Sequence, residues 1–321
     1  MNMKKIGLTA LAASLVSVSA ANAGSMTISG AASVGIGGYS SDTHNAGTSF
    51  TMGNQFTVSG GGELDNGLNV SLSYQLDNAA GVSGPFDDHS ITISSDEIGT
   101  IKFSGHGGSS ATSAMDATAA GDIWDGFDGA VATGVTGMAI GASGGSNNSI
   151  YYTAPSLMDG LTLNASYNPQ TGNGVESETG YGLTYTGVEG LTLKYATMDE
   201  NTGTTTTSGD QTAWHVGYAL GPITLEVTNN DYDMSAASSD KETSSYELSY
   251  TVSDELSVAY GTEEIDEGNT STDAEYSALV VTYTAGGMTL TGKMEAAENV
   301  DGSTNSNADV DYWFLGAAFA F

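Results

Sequence analysis

In the last ten residues, "YWFLGAAFAF" (312–321), every second residue belongs to one apolar set, and this two-residue period continues up to the final residue. In a β-strand, this alternation places one set of apolar side chains on a single face, namely Trp313, Leu315, Ala317, Phe319 and Phe321. An apolar strand face must lie against another apolar medium, because burying it away from water is what stabilises it. The nature of that medium decides the fold.

The same two-residue period recurs along most of the chain. It is found in segments of five to nine residues, for example 68–76, 161–167, 191–195, 223–227, 246–250 and 256–260. In each segment one face is apolar and the other is polar. These runs predict β-strands almost everywhere and very few helices.

Two kinds of connection alternate between the predicted strands. Short turns rich in Gly, Asp and Asn fall near positions 66, 97, 159, 189, 221, 254 and 286. Longer polar segments fall at 37–53, 78–87, 105–147, 169–179, 198–210, 229–243, 262–273 and 297–310. These seven turns and eight loops separate sixteen strands. An even-numbered antiparallel meander with short turns at one end and long loops at the other indicates an all-β, 16-stranded antiparallel transmembrane β-barrel.

Aromatic residues cluster by strand end on this assignment. Those expected at the loop-side rim are Tyr74, Tyr167, Tyr181, Tyr195, Trp214, Tyr246, Tyr260 and Trp313. Those expected at the turn-side rim are Tyr185, Tyr218, Tyr250, Tyr283 and Phe321. Two such rings are typical of the interfaces of a membrane barrel. The medium that the terminal strand needs is therefore lipid.

The N-terminus resembles an export signal. Lys4 and Lys5 precede an apolar run over 6–20, and small residues at 21–23 suit cleavage before Gly24. We expect residues 1–23 to be removed and residues 24–321 to form one barrel domain. An uncleaved membrane anchor is the alternative, although the apolar run is short for a spanning helix.

Charge and cysteine content narrow the function. The chain has no cysteine, which excludes disulfides and thiolate metal sites. It carries 38 acidic residues and 6 basic ones, none of them arginine. A phosphate-binding surface cannot be built from so few basic residues, so nucleic-acid partners are excluded. The field of the chain attracts cations instead.

Taken together, these features resemble the general porins of Gram-negative outer membranes, particularly the alphaproteobacterial type. The resemblance rests on the export signal, the strand count, the terminal strand ending in Phe321, the segment "NSIYYTAPSLMDGLTLNASY" (148–167) and the long third loop. It covers the whole chain after the signal. The order and spacing of these features are more specific than any one of them.

The resemblance implies several properties of the protein. It implies a homotrimer of water-filled pores in the outer membrane, in contact with lipid and lipopolysaccharide, through which small hydrophilic solutes and ions diffuse passively. It also implies that the third loop folds into each barrel and that the barrel-assembly machinery recognises the terminal strand, here Trp313, Leu315, Phe319 and Phe321. Family pores commonly place arginines opposite an acidic third loop, and this chain has none.

The third loop is the candidate constriction, since a barrel of this size leaves an aqueous channel. It mixes apolar residues suited to packing on a wall with acids suited to facing water. The residues predicted to line the constriction are Asp116, Asp122, Trp124, Asp125, Phe127 and Asp128. On the lumen wall we predict Glu63, Lys102, Lys194 and Lys293. The acids predict a preference for cations.

Two further hypotheses concern ion binding and assembly. Asp122, Asp125 and Asp128 are a weak candidate for a Ca²⁺ site, because clustered carboxylates suit hard cations, but their spacing matches no loop motif. No other cofactor is expected. Small residues in the apolar phase of the first two strands, Gly30, Ala32, Gly60 and Gly62, predict a subunit interface. Glycine used for barrel bending is the alternative.

Competing functions remain open at this stage. A substrate-specific channel, for example for sugars, uses the same barrel. An outer-membrane hydrolase is weakly suggested by the Gly-Ala-Ser-Gly-Gly run at 141–145, which lacks the strand-to-helix context of a nucleophile elbow. The four histidines, His44, His89, His106 and His215, show no metal-ligand spacing. A secreted acidic adhesin is the last alternative.

Overall fold

The computed structural model describes residues 25–40, 48–77, 87–113, 118–127, 147–169, 176–200, 208–235, 240–268, 270, 272–304 and 308–321. The predicted signal, residues 1–23, lies outside the described residues. Within the described ranges, no helix has the length and apolar character needed to span a membrane. The described residues form sixteen strands.

The strands follow one another in an antiparallel meander that closes on itself. Their bounds are β1 Ser25–Tyr39, β2 Thr48–Glu63, β3 Asn69–Asp77, β4 His89–Ser95, β5 Gly99–His106, β6 Ser149–Thr153, β7 Leu161–Asn168, β8 Glu178–Tyr185, β9 Leu191–Glu200, β10 Gly209–Leu220, β11 Ile223–Met234, β12 Lys241–Thr251, β13 Leu256–Glu267, β14 Ala274–Ala285, β15 Met288–Glu298 and β16 Val310–Ala320. The predicted fold class, strand count and alternation of short turns with long loops are confirmed.

Closure takes place between the first and the last strand. The pairing of β1 with β16 runs from Ala31 opposite Ala320 to Tyr39 opposite Tyr312. Beyond it, the Gly30 N–H donates to the Phe321 carbonyl at 2.7 Å, and the Phe321 N–H donates to the Gly30 carbonyl at 2.9 Å. Because every strand has two neighbours, the sheet has no edge, which is what a sheet in hydrocarbon requires.

The two faces of the wall differ as the alternation predicts. On β16, Trp313 and Leu315 are 44% and 57% exposed on the outside. Tyr312 and Phe314 point inward and stack at 6.4 Å between ring centroids. The predicted loop-side aromatics share this outer face, and in the register Trp214 lies directly opposite Tyr195. Large apolar side chains thus cover the outside of the barrel, where lipid replaces water.

Short turns close one end of the barrel at 64–68, 96–98, 154–160, 186–190, 221–222, 252–255 and 286–287. Glycine is required in some of them. Gly160 has a φ of 75°, and a side chain there would overlap the backbone of Gly187 in the neighbouring turn. At the other end the third loop joins β5 to β6 over 107–148, close to the predicted 105–147.

The main hydrophobic cluster lies inside the barrel, on one side of the lumen. It forms where Ile123 and Phe127 of the third loop meet Ile265 and Tyr276 of β13 and β14, with Val300 of the last loop beside them. These side chains are at most 6% exposed. The cluster therefore fills part of the channel and attaches the third loop to the wall.

A substitution at Gly30 tests the closure. A β-carbon there would lie 2.6 Å from the Phe321 ring, so Gly30→Val must displace that ring from its place over the seam. We expect a loss of about 1 kcal/mol in the free energy of unfolding, as for other overpacked sites. Urea unfolding in lipid vesicles, followed by tryptophan fluorescence, measures it. Gly292→Val is the matched control, because a β-carbon at Gly292 meets nothing within 4 Å; equal losses in both variants would contradict the assignment.

Candidate constriction and lumen lining

The third loop lies against the inner wall, where inward-facing hydroxyl groups hold its backbone. The Ala111 N–H donates to Ser166 Oγ, the Ala119 N–H to Thr228 Oγ1 and the Ala120 N–H to Ser245 Oγ, each at 2.9 Å. These hydroxyls belong to β7, β11 and β12. The loop therefore lies inside the barrel against the wall between β7 and β12, and the predicted folding of the third loop into the lumen is confirmed.

Glu263 on β13 is the main polar anchor of this loop. It is 2% exposed. One of its carboxylate oxygens accepts a hydrogen bond from the Thr118 hydroxyl, and the other accepts the Trp124 N–H at 3.0 Å. A buried carboxylate needs such donors, because an unpaired buried charge is costly.

A tight turn places the loop acids beside this anchor. The Thr118 N–H donates to Asp122 Oδ1, and the Asp122 N–H donates to Thr118 Oγ1, both at 2.9 Å. Gly121 and Asp122 have φ angles of 81° and 56°, in the left-handed region, so the chain reverses here into the 3-10 helix Ile123–Phe127. Burial raises the pKa of the Asp122 carboxyl, and hydrogen bonds from Thr118 and Trp124 oppose this effect.

Phe127 holds the loop and does not line the open passage. It is 1% exposed, and its ring lies 6.1 Å from the Tyr39 ring and 5.7 Å from the Tyr276 ring. The Tyr39 hydroxyl also donates to the Gly126 carbonyl. The prediction that Phe127 faces the constriction is corrected accordingly: an apolar ring gains more by packing on the wall than by facing water.

Glycines on the inner wall leave space for the third loop. A β-carbon at Gly261 would lie 2.5 Å from the Ala120 side chain, and one at Gly180 would lie 3.2 Å from the Ala111 side chain. Both glycines are in the inward phase of their strands. Small inward residues on the wall that faces a long loop indicate where that loop approaches the wall.

The other predicted constriction residues differ in position. Asp125 is exposed in the lumen, while Asp122 and Trp124 are half-buried. Asp116 and Asp128 lie outside the described residues. The Ca²⁺ hypothesis for Asp122, Asp125 and Asp128 therefore stays a prediction.

The predicted lumen-wall residues are in the inward phase of their strands. Lys293 on β15 forms an ion pair with Glu295 at 3.2 Å, and Lys241 at the loop end of β12 pairs with Glu267 at 3.3 Å. Lys102 lies opposite Thr92 of β4, and Lys194 lies opposite His215 of β10. Glu63 is exposed at the turn end of β2, far along the strand from the loop side.

Inward-facing glutamates on the strands were missed. Glu226 and Glu247 lie directly opposite each other on β11 and β12, and Glu263 and Glu295 lie further round the wall. The strand phase predicts three of them, since Glu226, Glu247 and Glu295 each lie between two apolar residues of the outward phase. Glu263 lies between Thr262 and Glu264 and gives no such signal. Beside Glu226, His215 Nε2 lies 3.9 Å from its Oε1.

The remaining predicted residues are on the outer wall. Trp313, Leu315, Phe319 and Phe321 face outward on the last strand and are all exposed. Ala32 lies opposite Phe319, while Gly60 and Gly62 lie on β2. Gly30 is covered by the Phe321 ring of the same chain, so its small size already has a reason within one barrel.

A closed barrel with an apolar exterior, a polar interior and a loop folded inside defines a class of protein, the membrane pore for hydrophilic solutes. The comparisons with known proteins agree. The sequence model of the family described as Gram-negative porin matches residues 7–276. The chain belongs to this family, and it forms a pore in the outer membrane.

Solved structures of porins share the fold. The anion-selective porin from Comamonas acidovorans superposes with a TM-score of 0.67 at 15% identity, over 92% of this chain and 99% of that one. A mutant of the Rh. blastica porin superposes with a TM-score of 0.65 at 15% identity, over 92% of this chain and 100% of that one. Among curated proteins, no sequence matches significantly.

The anchor at Glu263 can be tested directly. Glu263→Ala removes both acceptor oxygens, and each hydrogen bond to a charged group is worth about 1.5–3 kcal/mol. We expect the third loop to be cleaved faster by added protease and the open-channel current to become noisier. Glu263→Gln keeps one acceptor oxygen and should give an intermediate result. If the Ala variant resists protease as the unmodified barrel does, Glu263 does not hold the loop.

Proposed function

We propose that this porin is a cation-selective diffusion pore for small hydrophilic solutes and ions. The observation that carries the proposal is the charge of the described lumen. Asp122 and Asp125 lie on the loop, and Glu226 and Glu247 face the same channel from the wall. Of the four inward-facing lysines in the described residues, Lys241 and Lys293 are each paired with a glutamate, and the other two, Lys102 and Lys194, are outnumbered by the inward acids.

Such a lining favours cations by its ordinary electrostatic field. Carboxylates in a narrow channel with walls of low dielectric raise the local concentration of cations and lower that of anions. An ion-paired lysine adds little to oppose this field, because its charge is largely cancelled by its partner. Arginine, which would supply a permanent positive charge, is absent from the chain.

The fold by itself does not determine the sign of selectivity. The porin from Comamonas acidovorans has the same architecture and is described as anion-selective. The preference for cations or for anions must then depend on which charged side chains face the lumen. In this chain those side chains are mostly acidic.

A sugar-specific channel is less well supported. Three aromatic side chains, Tyr39, Tyr312 and Phe314, do follow one another on the inner wall, and the first two rings lie 4.5 Å apart. However, Tyr39 is engaged by Phe127, and Phe314 covers Gly35 and Gly316 of the wall. These rings therefore have packing roles that do not involve a sugar.

Assembly into a homotrimer through the wall formed by β1 and β2 is the second part of the proposal. A β-carbon at Gly60 would have its nearest neighbour at 3.7 Å, so the barrel itself does not require glycine there. Asn54 is exposed in the outward apolar phase, opposite Ala32. A polar side chain and small neighbours suit contact with another protein better than contact with lipid.

Neutralising the loop acids tests the selectivity. The triple variant Asp122→Asn, Asp125→Asn and Asp128→Asn should shift the reversal potential under a KCl gradient towards zero, because it removes negative charge from the constriction. The matched control neutralises three acids of the turns, Asp96→Asn, Glu97→Gln and Asp159→Asn. Planar-bilayer recordings measure both variants; an unchanged reversal potential in the first would exclude the loop acids as the source of selectivity.

A bulky residue on the β1–β2 wall tests the trimer. Gly60→Trp should weaken the trimer and leave the barrel folded, since a β-carbon at this outward position makes only an ordinary contact within the barrel, at 3.7 Å. Gly292→Trp, on the outer face of β15, is the matched control and should have no effect. Migration in mild detergent with and without heating distinguishes trimer from folded monomer. A Gly60→Trp trimer as heat-resistant as the control would place the interface elsewhere.

A further inference from the structure

Three potential metal ligands meet at the loop-side mouth of the barrel, away from the constriction. Oxygen atoms of Asp87 and Asp88 and a ring nitrogen of His106 all lie within 4.8 Å of one another. His106 Nδ1 is 3.3 Å from Asp88 Oδ1. All three residues are partly exposed. This proximity is not visible as a sequence motif, because Asp88 and His106 are 18 positions apart along the chain.

The strand register brings these residues together. The Asp87 N–H donates to the Gln75 carbonyl at 2.9 Å, and the Gln75 N–H donates to the Asp88 carbonyl at 2.8 Å, which extends the pairing of β3 beyond the start of β4. The register of β4 with β5 shifts between His89 and Ser90, and His89 pairs with His106. Such irregularities redirect side chains at the rims of barrels.

A third carboxylate is close to the cluster. Asp77 ends β3 two residues after Gln75, whose backbone pairs with Asp87 and Asp88, and its carboxyl group interacts with that of Asp87. Neighbouring carboxylates repel each other unless they share a proton or a cation. In the described part of the chain, the ion pairs of Asp87 and Asp88 include no lysine.

The neighbouring backbone leaves space for these side chains. Gly107 has a φ of 63°, and a β-carbon at this position would overlap the Asp88 carboxylate. A β-carbon at Gly105 would overlap the ring of His89. Gly107 therefore lets the Asp88 carboxylate approach the end of β5, and Gly105 leaves space for the ring of His89.

We propose that Asp87, Asp88 and His106, with Asp77 as a fourth ligand, bind a divalent transition-metal ion of the zinc type. One imidazole and several carboxylates form a donor set that suits Zn²⁺, whereas Ca²⁺ takes oxygen ligands. Ligand atoms of a tetrahedral zinc site lie about 3.4 Å apart, as bonds of about 2.1 Å require. Small rotations of these partly exposed side chains would bring atoms that lie within 4.8 Å to this separation.

The bound ion would join three parts of the mouth. It would connect the end of β3, the segment before β4 and the end of β5, where the third loop begins. It would also place two positive charges at the entrance of an otherwise acidic channel. Metal binding would therefore reduce the attraction of the mouth for other cations.

Titration of the folded porin with ZnCl₂ tests the site. Isothermal calorimetry in detergent should show one zinc ion per chain with micromolar affinity, and added CoCl₂ should give visible absorption bands that report the ligand set. His106→Asn and Asp88→Asn should each weaken binding about tenfold or more. His215→Asn is the matched control, because His215 also lies beside one carboxylate, that of Glu226, and it should bind zinc normally.

Three results would overturn the site. The first is the absence of saturable zinc binding. The second is that the folded His106→Asn variant binds zinc as before and shows an unchanged cobalt spectrum. The third is that CaCl₂ binds as tightly as ZnCl₂. Heat-modifiable migration verifies that each variant is folded. Binding measured in this way does not depend on the ion selectivity of the pore, so the two proposals can fail separately.

Discussion

Pairing of every backbone polar group within the sheet is the constraint on which the rest of this structure depends. In hydrocarbon no water is present to satisfy an unpaired N–H or C=O group, so a spanning sheet must close. Here the closure is made by β1 and β16 and ends with the mutual hydrogen bonds of Gly30 and Phe321. Once the cylinder is closed, each strand has one face for lipid and one for water, and the alternation of the sequence follows from this geometry.

The inner face of the barrel then holds the element that narrows the channel. A barrel of sixteen strands is too wide for its own side chains to fill, so a separate element has to narrow it. The third loop does so because its backbone N–H groups donate to inward hydroxyls and to the carboxylate of Glu263 instead of to water, and because Phe127 packs on the wall. Polar and apolar anchors together hold the loop on one side, which leaves its exposed acids to face the remaining channel.

Charge on this lining is independent of the architecture. The barrel superposes on a porin described as anion-selective, although only 15% of residues are identical. Side chains in the inward phase contribute little to sheet pairing, so they can change sign without altering the wall. Because of this independence, selectivity has to be argued from individual residues such as Asp125 and Glu226.

The sequence by itself determined the barrel, its strand count, the outer and inner phases, and the third loop as the narrowing element, because these depend on local alternation and on the spacing of turns. It did not determine which wall the loop meets, that Phe127 is an anchor, or that His106 lies beside Asp88. Those features depend on the register of strands far apart in the chain and on which side chains face each other across a lumen. Such contacts are settled only when the cylinder has closed, since local pattern carries no information about the partner opposite.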